Sequence, residues 1–76
     1  MTQTEWRKIF SDNLIDILHE KGMSQAQLAR DAGLSVSRIN DYIRMNATPT
    51  VFAVVNIADA LDMDVSELVD FGERID

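Results

Sequence analysis

The stretch SQAQLARDAGLSVSRINDYIR, residues 24–44, decides how the rest of the chain is read. Ser24 stands where its hydroxyl can accept a hydrogen bond from a free amide at a helix start, and Gln27 completes the box pattern Ser-x-x-Gln. The helix begun there is expected over about residues 25–32. It stops at Gly33, which can take the left-handed conformation that ends a helix. Ser35 is a second N-cap and opens a helix running to about residue 44. Two short helices joined by so tight a turn cross steeply, and the crossing needs a small side chain where the axes approach. Ala29 supplies it, and Ile39, ten residues later, is placed to plug the core from the second helix. Leu28, Leu34 and Tyr42 take the other inward positions.

Outward from this unit, the helical period continues. Trp6, Ile9, Phe10, Leu14, Ile17 and Leu18 recur at three- and four-residue steps, which predicts a helix over about residues 4–21. Thr2 and Glu5 can form its capping box, and Gly22 can end it. Residues 45–49 read as a loop, because Pro49 disfavours helical geometry in the residue before it. Thr50 then caps a fourth helix over about residues 51–61, with Val51, Val54, Ile57, Ala58 and Leu61 facing inward. Phe52 and Val55 lie off that stripe, which leaves half-buried packing and a partner surface both open. A short fifth helix is expected near residues 65–70, with Leu68 and Phe71 packing back. The fold class is therefore all-α, a compact bundle of five short helices in which the second and third form a helix-turn-helix.

Seventy-six residues make one domain, 1–76, with the helix-turn-helix unit at about 24–44. A chain this short buries only roughly 60–65% of its unfolded surface, so its helices must pack well or share a partner. Cysteine is absent, which excludes disulfides and cysteine-ligated zinc. No run approaches the roughly 18 apolar residues a bilayer requires, and the first residues do not resemble a signal peptide, so a cytoplasmic location is expected.

The net charge of −6 is unevenly spread. Residues 24–49 carry Arg30, Arg38 and Arg44 against Asp31 and Asp41, a slightly basic middle. Residues 50–76 carry Arg74 alone against Asp59, Asp62, Asp64, Glu67, Asp70, Glu73 and Asp76. The acidity thus collects in a C-terminal segment at about 62–76, and the helix-turn-helix is free to meet a polyanion.

The same residues resemble the phage repressor and Cro-like (Xre-type) helix-turn-helix family, over about residues 14–68. Residues 21–25 resemble the family's entry into its second helix, Leu28-Ala29 and Gly33-Leu34-Ser35 its turn, and Ile39 its core plug. Pro49 matches the proline before its fourth helix, Ile57-Ala58 and Ala60-Leu61 that helix, and Val65-x-Glu67-Leu68 its fifth. The resemblance implies a lambda repressor-like domain that binds double-stranded DNA as a transcriptional regulator, with the third helix in the major groove. By position, Val36, Ser37 and Asp41 would face base edges, with Asn40 nearby. Valine can touch a thymine methyl, serine can bond several bases, and an aspartate can accept from cytosine. Gln25 at a helix start, and Arg44 and Asn46 after the third helix, would meet phosphates, with Arg38 a further candidate. A homodimer is expected, because one module offers few base contacts and a two-fold operator doubles them.

The chain departs from the family's pattern at three places. Leu18 and Ile43 stand where relatives often carry an arginine and a glutamate that pair, a swap to aliphatics that can be neutral or stabilising. Met45 stands where relatives have a glycine, so Asn46 is expected to take the left-handed position. The loop before Pro49 contains no lysine or arginine.

Other chemistries find little support. Asp62, Asp64, Ser66, Asp70 and Glu73 fall on five positions of a calcium-loop template, but its turn glycine is Glu67 and no room remains for an exiting helix. His19 is the sole histidine, and no nucleophile–base–orienter set accompanies it. No enzyme activity, cofactor, metal, membrane contact or small-molecule ligand is expected. The alternative to DNA binding is an acidic protein-interaction module, such as an antirepressor or adaptor.

Overall fold

A computed structural model describes residues 1–69. Its helices are α1 Gln3–Lys21, α2 Gln25–Ala32, α3 Val36–Ile43, α4 Val51–Ala60 and α5 Val65–Leu68, with no strand among the described residues. The expected end of the fifth helix at Asp70, and Phe71, lie outside the described residues.

The helix starts follow the sequence closely. Thr2 and Glu5 exchange both capping-box bonds, at 3.1 and 2.7 Å, and the bonds from Thr2 hold the Glu5 carboxyl below its ordinary pKa. That contribution is present at neutral pH and lost as the pH falls through the lowered value. Ser24, Ser35 and Thr50 each accept from the amide three residues on, at 3.1 Å. The Ser24 box is one-sided: the hydroxyl accepts from the Gln27 amide, while no reciprocal bond from the Ser24 amide to the Gln27 side chain is seen.

The first four helices also stop in one way. A residue in the left-handed region donates back three positions, and the next residue's amide donates back five, which satisfies two carbonyls of the last turn. Gly22 and Met23 do this for α1, and Gly33 and Leu34 for α2. Met45 and Asn46 do it for α3, and Asp62 and Met63 for α4. The left-handed residue after α3 is thus Met45, with φ 61°, and not Asn46 as expected. The hydrogen-bond register sets this: Asn46 N–H reaches the Asp41 carbonyl at 2.8 Å, which fixes the turn one residue earlier. Gly33 owes its place to backbone conformation alone, since a Cβ there would meet nothing within 4 Å.

Packing gathers one core from all five helices. Phe10, Leu14, Leu28, Ile39, Ile57 and Leu68 are fully buried, and Ala29 is 1% exposed. α2 packs against α3 and α4, α1 against α3 and α5, and α4 against α5. An aromatic series ties α1 to α3: Trp6 and Phe10 are 5.5 Å apart, and Phe10 meets Tyr42 edge-on at 5.8 Å. Leu34 and Ile9 are partly rather than fully buried.

One inward assignment fails. Val51 is 81% exposed, and Ala53 is buried in its place. The α4 stripe runs through Ala53, Val54, Ile57, Ala58 and Leu61, so Val51, the first helical residue, overhangs the edge of the core. Phe52 and Val55 are exposed as well.

Two substitutions test this packing and its stops. Ala29→Leu is expected to destabilise the domain by roughly 1–3 kcal/mol, because no room exists at that buried position for three more carbons. Met45→Gly is expected to stabilise it by up to about 1 kcal/mol, as the left-handed cost of a side chain exceeds the entropy glycine loses on folding. Thermal or urea melts read both, and opposite signs would refute the assignments.

Candidate nucleic-acid interface

α3 is two-faced because Ile39 and Tyr42, one turn apart, commit one side of it to the core, at 0% and 3% exposure. Val36, Ser37, Arg38 and Arg44 are exposed, while Asn40 and Asp41 are half-buried. Ser35 fixes the start of this face by capping the Arg38 amide, and the bond from the Arg44 amide to the Asn40 carbonyl fixes its end.

Beside the outward face runs a groove of about 380 Å³. Ser35, Ser37, Arg38 and Asp41 line it from α3, and Ala47, Thr48 and Thr50 from the loop into α4. Three of the residues selected from sequence, Ser37, Arg38 and Asp41, therefore share one surface with the loop. Val36 and Asn40 belong to the same helix but do not line the groove. Arg44 and Asn46 are exposed at the α3 stop, and Asn46 spends its amide on the Asp41 carbonyl. Gln25 is half-buried at the first position of α2. It lines a separate, largely apolar cavity of about 440 Å³ with Ile15, Leu18, Met23 and Ile43.

Several residues that shape this surface escaped the sequence reading. Arg7 reaches from α1 to donate its Nε to Thr48 Oγ1 at 2.7 Å, and Thr48 Oγ1 donates to Gln3 Oε1 at 3.1 Å. The neighbouring Trp6 points its indole N–H at the Pro49 carbonyl, 3.5 Å away. Ser11 is buried at 3% exposure and donates its hydroxyl to the Ile43 carbonyl, holding the end of α3 against α1. The available signal was positional: Arg7 and Ser11 sit one turn apart on the flank of the apolar stripe of α1, where a polar residue needs a partner.

Leu18 and Ile43, the aliphatic substitutes for the family's ion pair, line the same cavity, and Ile43 packs against the core that holds Leu18. Neither asks for a counter-charge, so these two side chains join α1 and α3 by burial, beside the Ser11 hydrogen bond to the Ile43 carbonyl. Among the described residues no group of three or more histidines or carboxylates converges to hold a metal ion. The Asp70 and Glu73 positions of the calcium template lie outside the described residues. No described helix is long and apolar enough to cross a membrane.

The family model described as "Helix-turn-helix" matches residues 14–68. A search of curated proteins finds no significant match.

A double-mutant cycle tests the aliphatic junction. Ile43→Glu alone is expected to destabilise by roughly 3 kcal/mol, since it places a carboxylate in a largely apolar cavity with no partner. Leu18→Arg added to it is expected to recover part of that loss, with a coupling of about 0.5–3 kcal/mol. Additive effects in urea melts would mean that the two side chains do not share a site.

Proposed function

The chain belongs to the helix-turn-helix family of DNA-binding transcription regulators, and we propose that it is a sequence-specific repressor that inserts α3 into the major groove of a two-fold operator. The observation that carries this is the outward face of α3, where Ser37, Arg38 and Asp41 line one groove with the loop into α4. In the proposed complex Val36, Ser37, Asn40 and Asp41 read base edges. Gln25, Arg38, Arg44 and Asn46 sit on the flanking backbone. Valine suits a thymine methyl, and the short Ser37 hydroxyl can follow either a donor or an acceptor.

Net charge is the objection, and distance answers it. Thr50, at the start of α4, borders the groove, whereas Asp59, Asp62, Asp64 and Glu67 cluster around the other end of that helix. α4 has ten residues, so roughly 15 Å separates the two ends at 1.5 Å per residue. That exceeds the Debye length of about 8 Å at physiological salt, and the acidic end is screened from the phosphates.

The proposed second subunit meets the overhanging face of α4. Val51, Phe52 and Val55 are exposed there, and residues 50–58 contain no charged side chain in a chain of net charge −6. An uncharged face is the one on which two like copies meet without repulsion. Three side chains fall well short of the roughly 800 Å² per partner of a stable interface, so pairing takes place on the operator.

Selection from random duplexes with the purified protein is expected to enrich a two-fold motif bound by two copies. Arg44→Ala should then weaken binding to all sequences alike, whereas Ser37→Ala should relax preference at one base position per half-site. No enriched motif even at low salt would defeat this reading and favour the acidic protein-interaction module.

A further inference from the structure

Beyond Arg44 at the α3 stop, residues 45–50 of the loop into α4 border the groove but carry no cation. α1 brings one to them. The Arg7 guanidinium is half-buried, with Nε on Thr48 Oγ1 at 2.7 Å and one Nη on Gln3 Oε1 at 3.5 Å. Both partners are neutral. Among the described residues the single ion pair is Lys8 with Asp12, so no described carboxylate neutralises Arg7.

A guanidinium has five N–H donors in a fixed fork. Thr48 and Gln3 take one each, which leaves most of the fork unspent. At intermediate burial the remaining donors are open to a further acceptor, water or an anion. A planar donor fork of this kind matches phosphate geometry. Thr48, the residue it grips, also lines the groove with Ser37, Arg38 and Asp41. Arg7 does not itself line the groove, but its guanidinium is one hydrogen bond away from Thr48, which does.

We propose that Arg7, anchored on Thr48, is a phosphodiester-contacting residue of the DNA interface, delivered from α1 to a loop segment, residues 45–50, that lacks a cation. This inference rests on the DNA-binding reading and adds to it one charge contact per subunit. It also assigns a task to the first turns of α1, which precede residues 14–68.

Salt dependence separates this role from a structural tether. Each phosphate neutralised contributes about −0.9 to the slope of log affinity against log salt. The experiment titrates KCl against the full 76-residue chain bound to the duplex selected by the wild type, after melts have verified each variant's fold. Arg7→Gln is expected to weaken binding roughly tenfold at 100 mM salt, the scale of one charged hydrogen bond. It should also flatten the slope by about 0.9 per bound subunit. Arg7→Lys is expected to retain the slope while losing part of the affinity. Arg7→Met keeps the apolar stem and removes the charge, so it repeats the test if Arg7→Gln fails to fold. An unchanged slope in a folded, charge-removing variant, with or without weaker binding, makes Arg7 a tether only and overturns the inference. Failure of the wild type to bind any duplex at low salt overturns the DNA reading itself, and this inference with it.

Discussion

The close approach of α2 and α3 is the constraint on which the rest depends. Two helices of eight residues each have too little buried face to fix their own crossing. Their angle is set by a small residue inside, Ala29, by a left-handed glycine between them, and by Ile39 driven into the space beneath. α1 and α4 then serve as the walls that make this arrangement worth burying. Ser11 and the Phe10–Tyr42 contact hold α3 from the α1 side, while α4 closes over α2. What reaches solvent is a helix whose back is fully committed to the core and whose front is left free to vary.

That division also governs the charges. A polyanion-binding surface on an acidic protein depends on cations placed by the fold, and here Asp41 is the one carboxylate that lines the groove among the described residues. Arg38 comes from α3 and Arg44 from its C-cap. Arg7 comes from α1, across 41 residues of sequence, and meets the loop because Trp6 and Gln3 bind the same segment. Local charge counting along the chain is blind to such an arrangement, since the cation and the surface it serves lie on different elements.

The same distinction explains which features were legible beforehand. Helix starts are set by hydrogen bonds within three residues, so Thr2, Ser24, Ser35 and Thr50 could be read directly. Ala29, Gly33 and Ile39 were legible because steric need at a crossing restricts residue type. Met45 was misread in favour of Asn46, because residue preference pointed one way and the hydrogen-bond register after α3 the other. Val51 was misread because periodicity cannot tell where the core ends along a helix. Among candidate site residues, those on α3 followed from the family resemblance and not from the helix period, and Ser37, Arg38 and Asp41 line one groove. Arg7 and Ser11 followed from neither, as each derives its role from a partner more than thirty residues away.

The clustering of Asp59, Asp62, Asp64 and Glu67 at one end of α4, with the α3 groove at the other, gives the described residues a charge asymmetry along that helix, a local dipole. A molecule of negative net charge drifting toward a polyanion is repelled as a whole, but its dipole also feels a torque. On the proposed reading, in which α3 meets DNA, that torque turns the acidic end outward once the two are within about a Debye length. Repulsion then acts as a filter on orientation: encounters made with the wrong face are short, and those made with α3 leading persist. On that same proposed reading, the acidic end lowers nonspecific residence on DNA more than capture at a matching site, which helps a regulator that must search many wrong sequences for a few right ones.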